Sequence, residues 1–219
     1  DSRKILSGKI FKRQLSEIKS HMKANPGLGS LLVSYSFVNG LYPPVILSLP
    51  FLLETRYGYG PRLFGVALAL LLAGGGAGAL LYGFLPSRDR HNRFLLPAAL
   101  LALAFLLALL WPVGTPLYLW CALPAAGFAI GTVHQILTSS LYRLVSPIAR
   151  GRIFGLMESM ASFSVPLAYA VSGVVIEVFR SQLPFFFALM GGVILAAALL
   201  VHFFGRIGHF VSRETASAA

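Results

Sequence analysis

Residues Phe94–Tyr142 read FLLPAALLALAFLLALLWPVGTPLYLWCALPAAGFAIGTVHQILTSSLY, and no Lys, Arg, Asp or Glu interrupts them. A helix needs about 20 apolar residues to cross roughly 30 Å of hydrocarbon. The stretch is long enough for two such helices. The sequence Trp111-Pro112-Val113-Gly114-Thr115-Pro116 supplies the break between them, because proline and glycine end helices. The stretch therefore predicts two consecutive membrane crossings.

The rest of the composition agrees with a membrane protein. The chain has 219 residues, of which 57% are hydrophobic and 11% are charged, whereas soluble chains carry about 25% charged residues. Further uncharged stretches give four more crossings, so the predicted fold is an all-α membrane protein with six transmembrane helices over residues 28–205. The predicted helices cover about 28–53, 63–85, 94–110, 117–141, 153–176 and 184–204.

The cations are distributed unequally between the two sides of this predicted zigzag. Of the 18 Lys and Arg, all but Arg56, Arg62 and Arg180 fall in segments on the same side. Cytoplasmic loops concentrate Lys and Arg, so the pattern predicts a multi-pass protein of the cell membrane with both termini in the cytoplasm. The net charge of +11 comes from these helix ends. No basic stripe interleaved with aromatic residues indicates a nucleic-acid partner.

The two ends of the chain are predicted to lie outside the bilayer. Residues 1–27 are predicted to form a cytoplasmic amphipathic linker helix, because apolar residues recur at spacings of three and four between Phe11 and Met22. A solvated linker between two halves of a longer protein is the alternative, and the two interpretations are compatible. The start at Asp1 rather than Met indicates a fragment or a processed chain, and residues 206–219 are predicted to be a cytoplasmic tail.

Polar residues are concentrated in the first, fourth and fifth predicted helices, as expected of helices that line a polar path. The third and sixth are nearly all apolar and are expected to be peripheral. The Pro43-Pro44 pair removes two backbone donors and is expected to kink or unwind the first helix. A bilayer tolerates such a break only against protein or a water-filled cavity. The residues predicted to line a substrate or ion path are Asn39, Tyr42, His134, Gln135, Glu158 and Tyr169.

Glu158 and His134 are the candidates with proton chemistry. Glu158 lies six residues after Arg152, roughly 9 Å along a helix, and intramembrane carboxylates mark ion, proton or substrate paths. A Glu that snorkels to the interface or pairs with an Arg is an equally weighted alternative. His134 has the chemistry to titrate near neutrality, although a hydrogen bond to a neighbouring helix is the favoured interpretation. The same alternative holds for Asn39 and Tyr42.

The sequence lacks the motifs of the commonest membrane enzymes and metal sites. Neither HExxH nor GxSxG occurs. The single cysteine, Cys121, lies in an apolar helix, and no Cys/His cluster has the spacing of metal ligands. The chain is therefore predicted not to be an enzyme and to need neither a metal nor a cofactor.

Three segments resemble the major facilitator superfamily, and specifically the second half of a twelve-helix exporter. The loop Gly83–Arg93 is similar to that family's inside loop, G-x-x-x-D-R-x-G-R-[KR], in a degenerate copy that suits a second half. The segment Ser146-Pro-Ile-Ala-Arg-Gly-Arg-Ile-Phe-Gly-Leu-Met-Glu158 resembles the start of the eleventh helix in drug exporters akin to macrolide and siderophore exporters. The leader Lys23-Ala-Asn-Pro-Gly-Leu resembles the central linker that runs into the seventh helix.

The resemblance implies a function and a set of partners. The chain would be the C-terminal half of a secondary active transporter that exports a small amphipathic or hydrophobic compound by alternating access, driven by proton entry. Its partners would be the lipid bilayer, a missing N-terminal six-helix half, the small-molecule substrate and protons. The alternatives are a stand-alone six-helix scaffold or assembly protein without transport activity, and an unrecognised membrane enzyme. The residues that the resemblance assigns to an inner gate are Arg88, Asp89, Arg90, Arg93, Arg150 and Arg152.

Overall fold

The computed structural model describes residues 26–40, 42–60, 62–85, 89–113, 115–178 and 183–204, and helices form nearly all of this described part. Every regular element within these ranges is a helix, so the prediction of an all-α fold is confirmed for this part of the chain. The helices are α1 (Pro26–Gly40), α2 (Tyr42–Tyr57), α3 (Arg62–Phe84), α4 (Asp89–Ala108), α5 (Leu110–Val113), α6 (Pro116–Leu144), α7 (Arg150–Val178) and α8 (Leu183–Phe204).

The first predicted helix, 28–53, corresponds to α1 and α2 together. Leu41 separates them and lies outside the described residues, so the structure does not describe the point where the predicted kink would fall. Pro43 and Pro44 lie in the first turn of α2, where a missing N–H is tolerated. The predicted amphipathic helix before Pro26 and the predicted cytoplasmic tail also lie outside the described residues.

Four helical segments are long and apolar enough to cross a membrane. They are Leu31–Tyr57, Arg62–Phe84, Pro116–Leu144 and Arg150–Val178. Shorter apolar stretches, Leu95–Ala108 and Phe185–Ala196, lie in α4 and α8. For the residues that the structure describes, length and composition by themselves thus support four of the six predicted crossings.

Helix α6 begins at the end of the predicted break in the long uncharged stretch. The side-chain oxygen of Thr115 accepts a hydrogen bond from the backbone N–H of Tyr118 at 3.3 Å, which satisfies one of the free donors in the first turn of α6. Pro116 occupies the first helical position, where its fixed φ suits the helix and its missing N–H costs nothing. Thr115 and Pro116 together therefore determine where α6 begins.

The backbones of α3 and α6 touch without side chains between them. A Cβ added to any of four glycines at this crossing would overlap a carbonyl oxygen of the opposite helix. Small residues spaced by four allow helices to approach this closely. The glycines are Gly74 and Gly78 in α3, which face the carbonyl oxygens of Pro124 and Phe128, and Gly127 and Gly131 in α6, which face those of Leu71 and Gly75.

The remaining helices pack in two groups. α4 packs against α8 and α6, with Leu103 and Leu107 of α4 and Phe187 and Ile194 of α8 buried at the centre. α7 packs instead against α1 and α2, and it packs only loosely against α8. The third and sixth predicted helices are therefore neighbours in the fold. The polar first, fourth and fifth meet where α1 contacts both α6 and α7.

Candidate functional site

A polar cluster lies where α1, α6 and α7 meet. The hydroxyl oxygen of Tyr35 on α1 lies 2.9 Å from Nε2 of His134 on α6. The same hydroxyl donates a hydrogen bond to Oε1 of Glu158 on α7 at 3.3 Å. Three helices that are distant in sequence thus share one chain of hydrogen bonds. We call Tyr35, His134 and Glu158 the polar cluster.

The direction of the bonds follows from the chemistry of the groups. A hydroxyl has one proton to donate, whereas an ionised carboxylate only accepts. If Tyr35 donates to Glu158, its oxygen must accept from His134, so the neutral imidazole carries its proton on Nε2 in this arrangement. The rings of Tyr35 and His134 also pack at a centroid distance of 4.9 Å, tilted by 50°. Packing and hydrogen bonding therefore fix the same pair of side chains.

Exposure differs along the cluster. The side chain of Tyr35 is 5% exposed, that of His134 is half-buried and that of Glu158 is exposed. The carboxylate thus marks the open end of the chain of hydrogen bonds. The phenol lies at its enclosed middle.

Most other hydroxyls on these helices bond within their own helix. Ser36 donates to the carbonyl of Leu32 at 3.0 Å, and Thr132 donates to that of Phe128 at 2.8 Å. Such bonds satisfy a hydroxyl without joining two helices. Tyr82 of α3 approaches Ser139 of α6 at 3.4 Å, which is a second polar contact between helices. The polar cluster differs from it in containing an imidazole and a carboxyl group.

The structure brings together two of the six predicted path residues, His134 and Glu158. Asn39 lies one turn after Tyr35 and donates to the Tyr35 backbone carbonyl at 2.9 Å, so in this arrangement it supports α1. Gln135 is half-buried and projects about 100° around α6 from His134. Tyr169 is exposed on α7, roughly 16 Å along the helix from Glu158. Tyr42 begins α2, and its side chain lies outside the described part.

Sequence reasoning missed Tyr35, the residue that joins the other two. A signal was available, because Tyr35 precedes Asn39 by four residues and so lies on the same face of the helix. The favoured interpretation of His134 from the sequence, a hydrogen bond to a neighbouring helix, matches the observed bond to Tyr35.

Those residues assigned to an inner gate that the structure describes lie at helix ends. Asp89, Arg90 and Arg93 fall in the first turns of α4, with side chains outside the described part, and Arg88 lies outside it altogether. The guanidinium of Arg150 donates to two carbonyl oxygens at the end of α6, through Nε to Val145 and through Nη2 to Tyr142, each at 3.3 Å. It also lies 5.3 Å from the centre of the Tyr142 ring. Arg152 is exposed.

Thr138, one turn after His134, has a buried hydroxyl oxygen without a hydrogen-bond partner among the described residues. We expect Thr138→Val to leave the free energy of unfolding unchanged or to raise it by up to about 1 kcal/mol, because a buried unsatisfied hydroxyl is removed. Thr132→Val on the same helix is the matched control, since its hydroxyl is bonded, and it should lose about 1 kcal/mol. Titration with SDS in mixed micelles, followed by tryptophan fluorescence, measures both. A larger loss for Thr138→Val than for Thr132→Val would contradict the expectation.

An apolar groove of about 570 Å³ lies between α1, α7 and α8. Its lining includes Phe37, Leu167 and Met190, and the hydroxyls of Ser164 and Ser172 within it bond to carbonyls of α7. Leu167 lies nine residues after Glu158, or about 180° around the helix. None of the three residues of the polar cluster is among those that line the groove.

The polar cluster has the chemistry of a proton-binding site. It contains a carboxylate, an imidazole and a hydroxyl that both donates and accepts. Within the described ranges, no three His, Cys, Asp or Glu side chains come together as a set of metal ligands. No family model, curated protein or solved structure matches the chain in comparisons of its sequence and fold.

Proposed function

We propose that this chain crosses a membrane six times and forms one half of a proton-coupled secondary transporter. The whole carrier would export a small amphipathic or hydrophobic compound. The polar cluster of Tyr35, His134 and Glu158 is the observation that carries the proposal. It places titratable groups at the crossing of three helices in an otherwise apolar bundle.

The membrane part of the proposal rests on the helices and the cations. Four described segments have the length and hydropathy of spans. Side chains that would be costly in water, such as Phe84, Phe105 and Phe163, are largely exposed, which suits contact with lipid or with another membrane domain. The uneven distribution of Lys and Arg favours cytoplasmic termini.

The coupling part rests on the cost of placing Glu158 within a span. A charged side chain at the centre of a helix in a bilayer costs about 2.5–3.5 kcal/mol on insertion scales. Evolution tolerates such a cost mainly where the charge works in an ion or proton path. Glu158 also has a defined partner, because the Tyr35 hydroxyl donates to it. The carboxylate is exposed while its partner hydroxyl is enclosed, which suits a group that exchanges protons with its surroundings.

The partner part rests on surfaces that this chain leaves uncovered. α3 buries one stripe against α6 and exposes large apolar side chains on the rest, and α7 exposes most of its length. A second six-helix half would cover such helices and complete a central cavity. Rocking of two halves around a site near the midplane is the general mechanism of such carriers. The exposed apolar side chains of these helices include Val66, Leu72, Leu80, Leu81 and Phe84 of α3 and Phe163, Val171 and Val174 of α7.

Substitution of Glu158 in the complete carrier tests the proposed function. The carrier, containing this chain and its other half, is reconstituted in vesicles loaded with a small fluorescent hydrophobic dye, and a pH gradient is imposed. We expect Glu158→Gln to reduce gradient-driven dye movement to the level of empty vesicles, because an amide cannot take up a proton. Exchange of dye without a gradient should persist.

Glu177→Gln is the matched control, since it makes the same chemical change at the end of the same helix. It should transport like the unmodified carrier. Gradient-driven transport by Glu158→Gln at the unmodified rate would remove the coupling role. Failure of the unmodified carrier to move any of a set of such dyes, together with stable folding of this chain alone, would favour the stand-alone scaffold.

A further inference from the structure

The hydrogen bonds of the polar cluster are continuous from one titratable group to the other. His134 Nε2 lies 2.9 Å from Tyr35 Oη, and Tyr35 Oη lies 3.3 Å from Glu158 Oε1. We propose that the Tyr35 hydroxyl passes protons between His134 and Glu158, so that the three side chains bind and release one proton as a single unit. The inference deepens the proposed function, on which it rests for its role in transport.

The proton transfer balances without any other reactant. In the starting state the imidazole is doubly protonated, its Nε2–H points at Tyr35 Oη, and the Tyr35 O–H points at the Glu158 carboxylate. The Nε2–H bond breaks as a new O–H bond forms on Tyr35, while the original Tyr35 O–H bond breaks as an O–H bond forms on Glu158. The imidazole is left neutral with its proton on Nδ1, the carboxyl is neutral, and the tyrosine is unchanged. One positive and one negative charge have cancelled.

A tyrosine suits this position because its hydroxyl accepts and donates at once. Its ring is held by the contact with His134 and by burial to 5% exposure, so the oxygen stays between the two groups. The hydroxyl proton still rotates about the C–O bond and can point either way. A rigid oxygen with a rotating proton is the geometry that a relay requires.

The other charged side chains of the described helices around the cluster lie near helix ends, including Arg143 of α6 and Arg150 and Glu177 of α7. Glu54 and Arg56 lie near the C-terminal end of α2, the end furthest along the chain from α1. The Tyr82 hydroxyl of α3 contacts Ser139 rather than a residue of the cluster. Arg152 of α7 lies about 9 Å along the helix from Glu158. The titratable groups that face one another in the cluster are Tyr35, His134 and Glu158, with Asn39 as an uncharged neighbour.

The relay predicts that His134 and Glu158 change protonation together. Without the extra proton, Tyr35 donates to the carboxylate and the neutral imidazole holds its proton on Nε2. With the extra proton, Glu158 is a carboxylic acid and the imidazole proton lies on Nδ1. Groups coupled this strongly titrate with midpoints that belong to the pair rather than to either residue. A shift of the imidazole proton should therefore accompany protonation of Glu158.

Tyr35→Phe in the full chain, reconstituted in lipid bilayers, tests the relay. The imidazole nitrogens are followed by ¹⁵N solid-state NMR, with the His134 signals assigned by their loss in His134→Gln. The carboxyl C=O band of Glu158 is followed by infrared spectroscopy and assigned by its loss in Glu158→Gln. In the unmodified chain, protonation of Nδ1 and growth of the band should share one midpoint. In Tyr35→Phe, which keeps the ring and loses the hydroxyl, the two midpoints should separate by about one pH unit or more.

Tyr142→Phe is the control, because it makes the same change on α6 and keeps the ring contact with Phe154; it should keep one shared midpoint. Separate midpoints in the unmodified chain, or a shared midpoint in Tyr35→Phe, would overturn the relay. If Tyr35→Phe does not fold, Glu158→Gln decides, since its amide still accepts from Tyr35 and His134 should then keep its proton on Nε2 until it becomes doubly protonated. A switch to the Nδ1 form in Glu158→Gln would also overturn the relay. The spectra need no transport, so a relay without coupled efflux would contradict the proposed function alone.

Discussion

Gly74→Ala should destabilise the bundle, whereas Gly76→Ala, two residues away on the same helix, should not. A Cβ at Gly74 would overlap the backbone carbonyl of Pro124 on α6, while a Cβ at Gly76 meets open space. A carbonyl group cannot rotate out of the way as a flexible side chain can, so α3 and α6 would have to move apart. Overpacking of this kind costs about 1–3 kcal/mol, and occasionally more.

Gly74→Ala and Gly76→Ala are expected to differ in the sign of their effect on the free energy of unfolding. Alanine is about 0.8–1.0 kcal/mol more favourable than glycine inside a helix, so Gly76→Ala should leave the free energy of unfolding unchanged or raise it. Gly74→Ala should lower it despite the same gain in helix propensity. SDS titration followed by tryptophan fluorescence measures both variants. Equal stability of the two would show that α3 and α6 do not touch at Gly74.

A cysteine at position 148 should be labelled from the cytoplasmic side, and a cysteine at position 60 from the opposite side. Ile148 lies in the connection between α6 and α7 and is 92% exposed, and Gly60 lies between α2 and α3, where an added Cβ would meet open space. The proposed topology places these two connections on opposite faces of the membrane, because the side that includes residue 148 carries all but three of the 18 Lys and Arg. Each cysteine is expected to be labelled almost completely from one side of the membrane and hardly at all from the other.

The experiment uses a membrane-impermeant maleimide on intact cells, in a Cys121→Ala background that removes the single native cysteine. Gly60→Cys should react in intact cells, and Ile148→Cys should react only after the membrane is permeabilised. The Cys121→Ala chain without a new cysteine gives the background signal. Labelling of Ile148→Cys in intact cells would invert the topology, and labelling of both would contradict the odd number of crossings between them.

Much of the helical architecture follows from where charges, prolines and glycines fall. The predicted range 153–176 lies within α7, and the predicted break over residues 111–116 contains the helix start at Pro116, although residues 111–113 belong to the short helix α5. These features are local, because a helix start depends on the capping oxygen of Thr115 and on the fixed φ of the proline. A helix start can therefore be predicted from a few adjacent residues, without knowing which helices pack beside it.

The contacts between helices were harder to predict. A spacing of four between glycines, as between Gly74 and Gly78, is typical of closely packed helices, yet which helix packs there depends on how the chain folds back. Tyr35 was overlooked for a similar reason: a tyrosine in an apolar helix is common, and its importance depends on His134 and Glu158, which lie 99 and 123 residues further along the chain. Sequence spacing relates residues within a helix, but only the packed bundle relates residues on three helices.

The glycine contact between α3 and α6 restricts how this bundle changes shape. No side chains separate the backbones of α3 and α6, so nothing between them can deform. We therefore expect these two helices to move as one rigid body. The loose seam between α7 and α8 is the compliant boundary. Because α7 packs against α1 and α2, movement across that seam would carry these three helices together and would stretch the His134–Tyr35 bond, which joins α1 to α6. Binding of a proton to the polar cluster and movement of the helices would then be coupled, because both change the same hydrogen bonds.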